Sequence, residues 1–231
     1  TEIENDKIKI DKKIDILSKN DNPIDILKNT STAIEKISLA INQLKPELVI
    51  LLGDRYEIFS AAISANFMRI PIVHFHGGEV TEGAIDESIR HSISKMSSLH
   101  LVSNLLHKKR LIQLGENKMN IHNVGALGID VIKNTKLVSK EILERKLKIR
   151  FQKKIIVITF HPVTLENNTS EEQINEIFKS FKNIKDTTYV FTVPNADMYG
   201  NIIIKLIKIF CKKYKNAFCY KSLGKTNFYS L

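Results

Sequence analysis

The residues with chemical potential gather between Gly53 and His91. Three segments stand out: Gly53-Asp54-Arg55-Tyr56-Glu57, His74-Phe75-His76-Gly77-Gly78-Glu79 and Asp86-Glu87-Ser88-Ile89-Arg90-His91. Carboxylates beside imidazoles can hold and move protons, provided burial and neighbouring charges separate their pKa values. Arginines among them can neutralise an anionic leaving group such as a diphosphate. The first two segments lie where an apolar run ends, and open α/β sheets hold their ligands at the carboxyl ends of buried strands.

Each segment also has an ordinary explanation. Asp54 and Arg55 after Gly53 suit a surface turn with a local ion pair. Gly77 and Gly78 permit a ligand to approach backbone N–H groups closely, with His76 and Glu79 at hand for proton transfer, whereas His74, within the apolar run, reads as structural. Asp86 with Arg90 and Glu87 with His91 are four residues apart and share helix faces; plain i,i+4 pairing explains one such couple. Two couples beside a glycine loop favour a site. Further on, Phe160-His161-Pro162-Val163-Thr164 and Val193-Pro194-Asn195-Ala196-Asp197 also follow apolar runs. His161 can donate to a phosphate or leaving-group oxygen, and Asn195 can bind a ribose or base edge.

The elements that must position these groups follow from periodicity. Ile34, Ile37, Ile41 and Leu44 recur at helical spacing after Thr30 and Ser31 as possible caps. Leu48 to Leu52 is a continuous apolar run ended by Gly53 and reads as a strand buried on both faces. Alternation continues with helix Ile58 to Met68, strand Ile72 to Phe75, helix Asp86 to Met96, strand Leu99 to Ser103, helix Leu105 to Leu114 and strand Ile121 to Val124. After Gly125, Gly128 and the lysine-rich stretch Lys133 to Lys154, a second set begins. It comprises strand Ile155 to Phe160, helix Glu171 to Phe181 with a Ser170/Gln173 capping box, strand Tyr189 to Thr192 and helix Ile202 to Phe210. A further helix begins around Ser222 to Leu231. Strand–helix alternation of this kind implies parallel sheets, here in two α/β domains, residues 1–140 and 141–231.

Composition narrows the function. At 231 residues and 43% hydrophobic content the chain can bury a sizeable core. No apolar run approaches the roughly 18 residues of a membrane span, so a soluble protein without membrane contact is expected. Cys211 and Cys219 form no metal-ligand or redox pair and fit a reducing compartment, the cytoplasm. The formal charge of +10 is mostly dispersed lysine, without interleaved aromatics, so no nucleic-acid partner is expected. Walker, Gly-x-Gly-x-x-Gly, Gly-x-Ser-x-Gly and His-Glu-x-x-His motifs are missing, as is Asp-x-Asp. His74 and His76 lack a third partner by sequence logic. Neither a metal nor a cofactor is expected.

Taken together, the segments resemble those of the hydrolysing UDP-N-acetylglucosamine 2-epimerases of sialic- and legionaminic-acid-type biosynthesis. The matching stretches occur in order: Gly53 to Tyr56, His74 to Glu79, Ile85 to His91, His161 to Thr164 and Pro194 to Asp197. The resemblance implies two Rossmann-like domains facing a cleft, the glycosyltransferase-B arrangement, with the nucleotide held mainly by the second. It also implies that an opening strand precedes Thr1 and a serine-rich turn follows Leu231, so that the second domain is incomplete. Many members carry glutamate where this chain has His76. Histidine there is similar to the subgroup acting on N,N′-diacetylbacillosamine, linked to UDP or GDP.

The reaction so implied removes the C2 proton of a 2-acetamido sugar as the nucleotide diphosphate leaves C1, then adds water at C1 and a proton to the opposite face of C2. Asp54 and Asp86 are the expected acid/base pair, with Glu79 or His76 assisting at the second face. Arg55 and His161 are expected to neutralise the diphosphate. Asn195 is expected to contact the nucleotide, and Glu87, Arg90 and His91 to support the site. The expected partners are the nucleotide sugar and further copies of the chain in a homo-oligomer. The competing readings are a glycosyltransferase-B sugar transferase and an inactive nucleotide-sugar-binding fragment.

Overall fold

Short apolar runs become parallel strands, and the helical periodicities between them become crossovers. The computed structural model describes residues 2–18, 20–166, 169–195 and 197–231. Their contacts divide the chain into two compact units, the first comprising residues 1–19 and 24–130, the second residues 20–23 and 131–231. Sequence alone places this boundary at residue 140. Among the described residues no helix is long and apolar enough to cross a membrane.

The first unit contains α1 (Glu2–Asn5), α2 (Pro23–Leu44), β1 (Val49–Leu52), α3 (Tyr56–Phe67), β2 (Ile72–Phe75), α4 (Asp86–Met96), β3 (Leu99–Val102), α5 (Leu105–Gln113) and β4 (Ile121–Asn123). Helix α6 (Leu127–Asn134) runs across the boundary between the units. The four strands form one parallel sheet in the order β1-β2-β3-β4. Ile41, Leu51, Ala62, Ala65, Ile72 and Ile93 make one buried cluster, and Val102, Leu111 and Ile121 another.

Two local details differ from those expectations. Among the described residues β1 stands at one end of the strand order, with Ile50 64% and Leu52 52% exposed, while Leu51 enters the core and partly buried Val49 packs against it. Helix α2 begins at Pro23 rather than after Ser31. Proline is well suited to a first helical turn, and Thr30, inside the helix, returns its hydroxyl to the Ile26 carbonyl at 2.8 Å instead of capping.

The second unit carries α7 (Lys140–Leu147), β5 (Lys154–Thr159), α8 (Ser170–Ser180), β6 (Thr187–Thr192), α9 (Gly200–Lys213), β7 (Ala217–Tyr220) and α10 (Gly224–Ser230). Its parallel sheet has the order β5-β6-β7. Central β6 alternates between two cores. Tyr189 and Phe191 pack with Ile174 of α8 and Ile203, Ile207 and Phe210 of α9, while Val190 joins Leu143 of α7 and Leu223. The lysine-rich stretch is therefore not a bare linker, since α7 anchors it through Leu143, 1% exposed. The Ser170/Gln173 capping box does not form. Ser170 is already the first helical residue, and the Gln173 side chain donates to Glu166 Oε2 at 2.8 Å.

Candidate active site

The carboxyl ends of β1 and β2 and the first turns of α4 deliver the polar groups of the first unit to one place. Gly53 ends β1 with φ +91°, a left-handed conformation that L side chains resist, and so turns Asp54 and Arg55 out of the strand direction. Behind them lies His74 of β2, fully buried. Its Nε2 lies 2.8 Å from the Gly53 carbonyl and its Nδ1 3.2 Å from Ser94 Oγ of α4. A carbonyl only accepts, so Nε2 carries the proton. Burial lowers the His74 pKa to about 4 against the rise from the Gly53 bond, so the ring is neutral, as a structural histidine should be.

Arg90, buried on α4, organises the first network. It pairs with Asp54 and with Glu87 Oε2 at 3.1 Å, and donates to Thr81 Oγ1 at 2.8 Å. Glu87 also accepts from the Thr81 backbone N–H at 2.7 Å and meets His91 Nε2 at 3.0 Å. Burial raises the Glu87 pKa, but the Thr81, His91 and Arg90 interactions outweigh it and hold the carboxyl below its ordinary value. Arg90 is thus shared between the end of β1, the loop before α4 and the helix itself. Asp86 stands half-buried beside Glu87 in the same first turn, where both carboxylates favour the helix dipole.

The second network follows β2. His76 adopts φ +64°, an uncommon backbone state for a non-glycine residue, and its Nδ1 lies 2.6 Å from Glu79 Oε1. The same oxygen accepts from Ser103 Oγ at 2.7 Å, and Ser103 Oγ lies 2.8 Å from His107 Nδ1 on α5. Burial raises the Glu79 pKa, but the hydrogen bonds from Ser103 and His76 and the neighbouring imidazoles outweigh it and bring the carboxyl below its ordinary value. A carboxylate that holds Nδ1 of an imidazole orients the ring and leaves Nε2 to accept a proton.

Gly77 and Gly78 are buried, and their lack of a side chain makes room for packing within the protein. A Cβ on Gly77 would lie 2.8 Å from Ser94 Oγ, and one on Gly78 2.5 Å from the His107 carbonyl. The space that the absent side chains leave is filled by α4 and α5. Arg110 of α5 donates to the Gly78 carbonyl and fastens the loop there.

Of the residues singled out in the sequence, the first unit thus gathers Asp54, Glu87, Arg90 and His91 in one hydrogen-bonded network and His76 and Glu79 in the other. Arg55 turns to Glu57, with bonds of 3.0 and 3.2 Å, the local ion pair that is its ordinary explanation. His161 and Asn195 lie in the second unit, following β5 and β6. His161 is exposed, with Nδ1 3.6 Å from Asp197 Oδ2, and Asn195 is also exposed. Among the described residues no group of three or more His, Cys, Asp or Glu could hold a metal ion.

Sequence reasoning missed Thr81, Ser103, His107 and Arg110. The available signal was Ser103-Asn104 at the end of β3, a strand–helix junction of the same kind as those after β1 and β2.

Comparison with known proteins agrees with this architecture. The profile of the family described as UDP-N-acetylglucosamine 2-epimerase matches residues 1–231. The chain is 43% identical over 226 residues to the GDP/UDP-N,N'-diacetylbacillosamine 2-epimerase (hydrolyzing) of Campylobacter jejuni, covering 97% of this chain and 59% of that protein. It is 40% identical over 214 residues to the polysialic acid biosynthesis protein P7 of Escherichia coli, covering 92% of this chain and 54% of that one. The chain therefore spans between half and three fifths of the length of these curated relatives.

Two solved structures share the fold. The UDP-GlcNAc 2-epimerase of Methanocaldococcus jannaschii in complex with UDP-GlcNAc and UDP superposes with TM-score 0.80 at 17% identity, over 98% of this chain and 62% of that one. The Neisseria meningitidis enzyme bound to UDP-GlcNAc gives 0.77 at 19%, with the same coverages of 98% and 62%. At such identities the likeness establishes the α/β architecture with parallel sheets, and the sequence match establishes kinship: the chain belongs to the UDP-N-acetylglucosamine 2-epimerase family.

Proposed function

We propose that the protein is a hydrolysing nucleotide-sugar 2-epimerase. It would convert a UDP- or GDP-linked 2-acetamido sugar and water to the free C2-inverted sugar and the nucleotide diphosphate. The observation that carries this reading is the pair of networks at the ends of β1 and β2, where Asp54, His76, Glu79 and Glu87 lie around Arg90 and His107. The activity of the Campylobacter jejuni relative favours N,N′-diacetylbacillosamine as the sugar over N-acetylglucosamine, and so does histidine at position 76.

The chemistry assigns a role to each group. Inversion at C2 by elimination and hydration needs a base on one face and an acid on the other. His76, oriented by Glu79, has the geometry of a base whose Nε2 takes the C2 proton as the C1–O bond to the nucleotide breaks. Asp54 and Asp86 are proposed for the other face, returning a proton to C2 as water adds at C1. Arg90 keeps Asp54 in place. In the second unit His161 and Asn195 are proposed for the nucleotide diphosphate, with Asp197 beside the His161 ring. Arg55, engaged by Glu57, would have to leave that pair to act on the diphosphate.

The test is incubation of the full-length protein with UDP-N,N′-diacetylbacillosamine or UDP-N-acetylglucosamine in deuterated water without an acceptor, followed by NMR. Free UDP and a C2-inverted sugar carrying deuterium at C2 support the reading. A nucleotide sugar that stays intact until an acceptor is added would instead make the protein a sugar transferase.

A further inference from the structure

The Glu79 network extends beyond the residues that could meet a sugar, and the polarity of its hydrogen bonds can be worked out from one end. Asn104 caps α5: its Oδ1 accepts from the His107 backbone N–H at 3.0 Å. That bond fixes which way the amide points, so the group 3.4 Å from His107 Nε2 is the Asn104 Nδ2 amine, which can only donate. In a neutral His107 ring, Nε2 therefore accepts and Nδ1 carries the hydrogen. Nδ1–H then donates to Ser103 Oγ across 2.8 Å, and the single Ser103 hydrogen is left for Glu79 Oε1 at 2.7 Å. At the far end Glu79 receives His76 Nδ1 on the same oxygen.

We infer that Ser103 and His107 are positioning residues that hold Glu79, and through it His76, by a hydrogen-bond relay whose direction is set by Asn104. The inference deepens the epimerase reading, and its activity arm rests on that reading. Every link supports it. Ser103 and Asn104 leave the end of β3 and begin α5, so a strand terminus and a helix cap fix the relay to the scaffold. Gly78 lets the Glu79 loop lie against His107, because any larger residue would meet the His107 carbonyl. The titratable groups that act on Glu79 are His76 from its own loop and His107 from α5, and His107 in turn lies near Arg110 of its own helix and Arg90 of α4. Burial, with Arg110, Arg90 and His76, lowers the His107 pKa against the opposing pull of Glu79, which keeps the ring in the neutral form the relay needs.

The experiment compares the wild-type protein with Ser103→Ala and Ser103→Thr. Two-bond proton–nitrogen NMR of labelled histidines reads the tautomers at neutral pH. Carboxyl carbon NMR reads the titration of Glu79. The expected result is His107 in the Nδ1–H form in wild type and Ser103→Thr, with the Nε2–H form gaining in Ser103→Ala. Glu79 should titrate at higher pH in Ser103→Ala, because a bond favouring its charged form is gone.

In the full-length protein, Ser103→Ala should lower kcat roughly tenfold or more, the range for a hydrogen bond to a charged group, with KM little changed. The acidic limb of its pH–rate profile should move upward, and Ser103→Thr should restore both. An Nε2–H His107 in wild type, or a Ser103→Ala enzyme with unchanged kcat and pH profile, would overturn the inference. If the wild type proves to have no epimerase activity, the function proposed above fails instead, and the tautomer and Glu79 titration decide the relay on their own.

Discussion

Arg90 of α4 holds Asp54 at the end of β1, although 36 residues separate them in sequence. The guanidinium side chain is 5% exposed and that of Asp54 23%, so the pair sits at the rim of the interior. Removing one partner of a fully buried pair costs roughly 3–5 kcal/mol, and partial exposure of the carboxylates lowers that figure. Arg90→Met should therefore cost about 2–3 kcal/mol of unfolding free energy, read from urea denaturation. Arg90→Lys should recover little, because one ammonium cannot serve Asp54, Glu87 and Thr81 in the guanidinium's fixed geometry.

His76 and Glu79 should behave as one catalytic unit. His76→Ala and Glu79→Gln should each lower turnover of the full-length enzyme by about 10²–10⁴, the range for a positioned acid or base. The double substitution should be hardly worse than the more damaging single one, since groups acting through one another are not additive. Steady-state kinetics of the three variants checks this. Multiplicative losses would separate the two residues.

The glycines at the two strand ends should differ in cost. Gly53 has φ +91°, but a Cβ added there would meet nothing within 4 Å, so Gly53→Ala should cost only the backbone penalty of about 1–2 kcal/mol. Gly78, with φ +76°, would in addition drive its Cβ to 2.5 Å from the His107 carbonyl. Crowding of that kind adds roughly 1–3 kcal/mol. Urea midpoints of Gly53→Ala and Gly78→Ala should rank them in that order.

His74 should make stability sensitive to mild acid. Above pH 6.5 its ring is neutral folded or unfolded. As pH falls from 6.5 towards the folded value of about 4, the unfolded chain binds a proton that the folded chain refuses, so stability is lost across that window and levels off below it. The total is roughly 3 kcal/mol. His100, also depressed chiefly by burial, acts in the same direction. Unfolding free energies measured across the range should fall less steeply in His74→Gln, and the difference between the two curves isolates this ring.

Much of this architecture is legible in the sequence because short apolar runs ending at Gly53, His76 and Ser103 leave few ways to fold. What the sequence hides involves tertiary partners. Nothing in Leu48 to Leu52 tells which of its side chains are covered, since that depends on the elements packed beside it. Strand β7 gives little signal because Ala217-Phe218-Cys219-Tyr220 is short and follows the polar Lys212 to Asn216. Helical spacing pairs Arg90 with Asp86, whereas the guanidinium reaches across to Asp54 and back to Glu87, a choice set by how α4 packs on the sheet. Gly77 and Gly78 mark a close approach, but the approaching atoms belong to α4 and α5.

The uncharged ring of His74 acts as a rivet between the turn after β1 and the last turn of α4. Asp54 stands on the one and Arg90 one helical turn before the other, so their alignment is built into the fold. On the function proposed above, the energy of sugar binding would then be free to distort the ring rather than to gather the protein.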